Sequence, residues 1–148
     1  MPRHPRTTQL VAAVIAIGLV FSLAGCFTVN QTKMVRLLND SRSHAGLRSV
    51  RANETATAKA QAWAAHMSRT GVVEHTGGGD RMDTSRLPRW CAAAENVAKA
   101  TSLDNAQSLW MRSAPHRRNI LGPYDHVGTG AVRKGTYVYA VQIFYRAC

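Results

Sequence analysis

The segment at 136–145, Thr-Tyr-Val-Tyr-Ala-Val-Gln-Ile-Phe-Tyr, constrains the fold more than any other part of the chain. It is rich in β-branched and aromatic residues, which suit a pleated surface. Both of its alternating sets are apolar: Tyr137, Tyr139, Val141 and Ile143 on one, Val138, Ala140 and Phe144 on the other. A strand with one face in water alternates apolar with polar residues, so a strand apolar on both must be covered on both. The preceding segment 126–132, His-Val-Gly-Thr-Gly-Ala-Val, also has strand character, and Arg133-Lys134-Gly135 between the two reads as a tight hairpin. Gly128 and Gly130 leave room on one face of the first strand for another backbone or for a ligand.

Helical covers for such a sheet lie upstream. Residues 27–30 read as a linker. Residues 32–44 then carry Met34, Val35, Leu37 and Leu38 as an apolar stripe, with Gly46 as a stop. Asn53 is a predicted N-cap, and Glu54 favours the first turn of the clearest helix. Ala56, Ala60, Trp63, Ala64 and Met67 share one side of it, and Gly71 ends it. Its many alanines permit close approach to a neighbour. Trp63 is assigned to the core, and His66 is given no role. Ser102 or Asp104 opens a further helix with Leu103, Ala106, Leu109 and Trp110 inward, and Pro115 makes its continuation costly. Helices on two faces of a sheet predict an α+β, three-layer α-β-α sandwich.

The chain has 148 residues, enough for one domain with a real core. Its start has a different character. Arg3 and Arg6 precede an almost unbroken apolar run at 10–24, interrupted only by Gly18 and Ser22, and the run ends in Leu-Ala-Gly-Cys at 23–26. A basic region, a short apolar region and small residues are the marks of an export signal. The run is shorter than the ~20 residues a spanning helix needs. Leu-Ala-Gly-Cys resembles the lipobox of bacterial lipoproteins. That resemblance implies that residues 1–25 are a cleaved signal peptide, that Cys26 is the acylated first residue, and that 26–31 form the lipidated N-terminus and linker to a domain at 32–148. A multiply acylated cysteine meets the demand for more than one anchoring signal. The expectation is an exported protein, tethered by lipid at the outer face of the bacterial cell membrane.

The net charge is +11, and residues 1–25 account for only two of the 19 basic groups. The rest are scattered, among them Arg36, Arg42, Arg48, Arg69, Arg86, Arg117 and Arg133, with no dense basic helix and no interleaved aromatics. That distribution argues against nucleic acid and for general attraction to anionic envelope components. Of the three cysteines, Cys91 and Cys148 remain once Cys26 is assigned to lipid. Two cysteines in an exported chain most often pair. The alternative is a free Cys91 working with a histidine, as in Cys/His hydrolases. The position of Cys148 on the last residue favours the bridge.

Three titratable residues stand out. His75 follows the second helix and precedes a glycine-rich loop that runs through Gly77, Gly78, Gly79 and Asp80 to Pro88, a length usual for functional or mobile loops. Glu95 lies between a small apolar run and Val97, a setting that demands a partner. His116 falls at the break made by Pro115, between the apolar anchors Leu109-Trp110-Met111 and Ile120-Leu121. Ser113 is expected to cap the turn. Asp125-His126 marks entry to a strand, with a fourth ligand as the alternative role.

A helix ending near a His, Glu-Asn-Val at 95–97, Trp-Met-Arg-Ser-Ala-Pro-His-Arg-Arg-Asn-Ile-Leu at 110–121, then Val-Gly-Thr-Gly and an aromatic strand together resemble the CAP superfamily, the SCP-like extracellular domain, in its short bacterial form. The resemblance spans roughly residues 32–145. It implies an α-β-α sandwich with a cleft lined by His75, Glu95 and His116. In animal members two histidines and two acids form the cleft tetrad, which in some cases binds a divalent cation such as Zn2+. This chain has no carboxylate between Asp104 and His116, and Ala94 stands where the family usually has Gly. Two imidazoles and a carboxylate are a sufficient zinc shell with one open position, or a hydrogen-bonded network closing a cleft. The function expected is a ligand-binding or envelope-associated module. The alternative is a metal- or His/Glu-dependent hydrolase acting on envelope polymers or peptides.

Overall fold

A computed structural model describes residues 27–148. The expected export signal at 1–25 and Cys26 lie outside the described residues. The elements are α1 (Val29–His44), β1 (Arg51–Ala52), α2 (Glu54–Thr70), β2 (Trp90–Ala100), α3 (Leu103–Arg112), α4 (Ala114–Ile120), β3 (His126–Lys134) and β4 (Tyr137–Ala147). They form one four-stranded sheet in the order β1-β3-β4-β2, with β1 parallel to β3 and the other pairs antiparallel.

The two apolar sets of β4 face different covers, as its sequence demands. Tyr139, Val141, Ile143 and Tyr145 pack with Ala56, Ala60, Ala64 and Met67 of α2. Val138, Ala140 and Phe144 pack with Met34 and Leu38 of α1, Trp110 of α3 and Ile120 of α4. The result is the three-layer sandwich, α2 on one side and α1, α3 and α4 on the other. Gly128 and Gly130 face α2, where a Cβ would run into the backbone of Ala56 and Ala60. Their space is thus filled by another backbone and not by a ligand. Small residues on both surfaces bring helix and strand into direct contact.

Several local features differ from their sequence reading. Helix α1 begins at Val29, inside the expected linker, because Thr28 and Gln31 form a reciprocal capping box. The stretch at 90–100, poor in β-formers, is a full strand, since ten of its residues pair with β4. Pairing and cover override weak propensity there. Leu109 is exposed, and the buried positions of α3 are Leu103, Ala106, Gln107 and Trp110. Pro115 does end α3, and it also starts α4, occupying the first turn, where its missing N–H costs nothing. Arg42, counted among the scattered cations, is only 4% exposed and donates to the carbonyls of Arg48, Ile120 and Gly122. It ties α1 to the exit of α4. Cys91 and Cys148 form a disulfide that joins the start of β2 to the chain end. No described helix is long and apolar enough to cross a membrane.

Candidate functional site

Edge strand β2 organises the site, because its successive side chains leave on opposite faces. Glu95 turns toward the segment after α2. One carboxylate oxygen, Oε1, lies 2.8 Å from Nδ1 of His75 and accepts the backbone N–H of Thr76 at 2.9 Å. The Glu95 side chain is 1% exposed and that of His75 23% exposed. A buried carboxylate thus holds a half-open imidazole by one nitrogen, and Nε2 is the nitrogen left to it. The second carboxylate oxygen of Glu95 is closed off from solvent and has no hydrogen-bond partner among the described residues.

Asn96 turns the other way. Its amide donates to the carbonyl of His116 and to Oε1 of Gln142, while its own oxygen accepts from Asn119. Asn119 also donates to the Glu95 carbonyl, satisfying one carbonyl on the open edge of β2. Gln142 donates to Gln107, and Gln107 donates to Ser41 of α1. A chain of amides therefore runs from the core to the backbone of both Glu95 and His116. Sequence reading missed these amides, since a polar residue inside a helix or strand reads as solvated until its partners are known.

His116, in the first turn of α4, is half-buried with Nδ1 2.8 Å from Oγ of Ser113. Ser113 makes no side-chain cap bond, contrary to expectation, because its hydroxyl is committed to the imidazole. Burial, and then the charge of nearby His75, hold His116 below the ordinary histidine value of 6.5. The trio therefore assembles as two linked pairs: His75 with Glu95, and His116 with Ser113, the two rings close enough for the charge on one to weigh on the other.

That arrangement does not fit a zinc site. Among the described residues no group of three or more His, Cys, Asp or Glu side chains is placed to hold a metal ion. Oε1 of Glu95 is taken by two donors and the other oxygen is shut away, which leaves two imidazoles where a catalytic zinc needs three protein ligands. Asp125 and His126 supply no further ligand. Nδ1 of His126 lies 2.7 Å from Asp125, and the ring stacks on Tyr145 at the mouth of β3.

The glycine-rich loop is pinned, not loose. His75 and Gly77 donate their backbone N–H to the carbonyls of Gly79 and Arg81, and Asp83 binds Lys59, Ser85 and the Thr76 hydroxyl. Between this loop and α2 lies a cavity of about 610 Å³, lined by Thr55, Ala58, Lys59, Ala62, Trp63, Thr76, Asp83, Ser85 and Arg86. Trp63 is thus only an edge of the core. Its indole N–H donates to the Glu74 carbonyl, and its ring stacks on His66. Thr76 is common to the cavity wall and to the Glu95 carboxylate.

The model of the CAP, or cysteine-rich secretory protein, family matches residues 35–144. This chain belongs to the CAP family. A curated relative, the uncharacterized protein YkwD of Bacillus subtilis, is 31% identical over 112 residues, 72% of this chain and 44% of that protein. The CAP chain therefore spans less than half the length of that relative. An outer surface protein of Borrelia burgdorferi shares the fold with a TM-score of 0.70 at 15% identity, covering 79% of this chain and 92% of that one. An extracellular SCP-domain protein of Bacillus anthracis does so with a TM-score of 0.64 at 24% identity, covering 83% and 45%.

Proposed function

We propose that this CAP protein is an exported, lipid-anchored binding module of the bacterial envelope, with a ligand held at the cleft of His75, Glu95 and His116. The observation that carries the reading is the pairing of fully buried Glu95 with half-open His75. Burying a carboxylate costs several kcal/mol, about the size of a small domain's whole stability margin. Spending it on the aim of one imidazole is reasonable where that imidazole meets something else. The Leu-Ala-Gly-Cys motif at 23–26 supports the anchor, the strongly basic composition supports anionic wall polymers as the ligand class, and the extracellular or surface placement of two fold relatives agrees with export.

Isolated cell walls provide the test. The full chain is expected to be retained on them, and a His75→Ala, His116→Ala double variant that keeps the wild-type circular dichroism is expected to be washed off. Equal retention of the two proteins would remove the cleft from the function. A Cys26→Ser form is expected to leave the membrane fraction.

A further inference from the structure

We propose that Ser113 is a nucleophile served by His116, and that this pair gives the cleft an acyl-transfer activity toward carboxylic esters. The inference rests on the cleft reading above and adds chemistry to it.

Three observations carry it. The Ser113 hydroxyl occupies the N-cap position of α4 and yet makes no cap bond. It lies instead 2.8 Å from Nδ1 of His116, the reach expected of a nucleophile and its base. The backbone that carries the imidazole is held in place, the His116 carbonyl by Asn96 and the neighbouring Asn119 bound to both Asn96 and the Glu95 backbone. Ser113 and His116 are each only partly buried, so neither side chain is closed off from solvent. A neutral imidazole, the form that burial and His75 favour, has the lone pair that a hydroxyl proton requires.

The step balances without any further reagent than water. Oγ of Ser113 bonds to the ester carbonyl carbon as its proton passes to Nδ1 of His116. The ester C–O bond breaks, and the departing alkoxide takes that proton. Water then attacks the acyl-serine, gives a proton to Nδ1, and the serine oxygen leaves with it as the free acid is released. An ester suits one imidazole that carries the proton in both directions, since an alkoxide departs without the prior protonation that an amide nitrogen requires.

The test treats full-length protein in its membranes with an alkyl fluorophosphonate and maps the adduct by mass spectrometry. One adduct on Ser113 is expected, none in Ser113→Ala, and labelling of His116→Gln slowed by about 100-fold, the lower end of what a positioned base contributes. Labelling of His116→Gln at the wild-type rate, with the variant's melting temperature preserved, overturns the proposal. Wall retention of the same samples separates the two readings. Absence of an adduct on wild-type Ser113 in protein that still binds walls overturns the nucleophile and leaves the binding module standing. An adduct on protein that does not bind walls upholds the nucleophile and removes the module.

Discussion

At the scale of single residues, the site consists of side chains whose local sequence hides their partners. His116 is the clearest case. Its position after Pro115 and before Ile120-Leu121 announces a titratable group at a bend, with Ser113 three residues upstream on the same turn, but only the fold brings His75 near it. Its depressed proton affinity has a consequence for stability. The unfolded imidazole takes up a proton near pH 6.5, whereas the folded one does so only at lower pH. The unfolded state therefore binds more protons in that window, and stability falls as the pH drops from about 6.5 through the folded value. Asp83 and Asp104 act in the same sense but below 3.8, where their carboxyls are held down by Lys59 and Lys33. Urea unfolding between pH 5 and 7 is expected to show wild-type protein losing stability toward pH 5 relative to a His116→Gln variant. Parallel curves for the two proteins would remove His116 as the source.

At the scale of elements, the contact of α2 with β3 is set by absent side chains. Ala56 and Ala60 on the helix oppose Gly128 and Gly130 on the strand, and backbone atoms occupy the places a Cβ would need. Neither partner can give way cheaply, because backbone and not the end of a flexible side chain fills the gap. Gly130→Ala is therefore expected to cost about 3 kcal/mol, at the upper end of ordinary overpacking, in chemical denaturation. A cost under about 1 kcal/mol would mean that the helix can slide off the strand. The same face of α2 continues through Ala64 and Met67 into the cluster that also takes Ala93 and Val97 of β2. Strand β2 shows the opposite dependence. Its Ala-rich sequence has little strand preference of its own, and it exists because β4 pairs with it from Ala92 to Ala100 on one side while Asn119 and Trp110 donate to its Glu95 and Val97 carbonyls.

At the scale of the whole molecule, two long-range ties close the sandwich. The buried guanidinium of Arg42 gathers carbonyls from the exits of α1 and α4, and the disulfide joins residues 57 apart in sequence. In the chain-entropy picture a loop of that length contributes about 4 kcal/mol. A Cys91→Ser, Cys148→Ser variant is expected to lose roughly that much in urea unfolding while keeping its secondary structure, with the loss reproduced by reducing agent on wild-type protein. An unchanged midpoint would show that the bridge adds nothing to closure.

Residue pattern alone was enough for the sandwich, for the hairpin of β3 and β4, and for the start and stop of α2. Each of these depends on neighbours within a few positions: two apolar alternations in one strand, an Asn before a Glu, a Gly after the last turn. The pattern also named His75, Glu95 and His116, through breaks and an acid set among small apolar residues. The tertiary structure alone decided that β2 is a strand, that Arg42 is inside, that Gly128 and Gly130 receive a helix, and that Ser113 bonds an imidazole and leaves the helix end uncapped. It also decided how the trio divides into two pairs. Apart from the Ser113 contact, which spans three residues, these outcomes depend on groups far apart in the chain, and hydrogen bonds and van der Waals contacts reach only a few ångströms. No spacing along the chain encodes them until the sheet has brought those groups together.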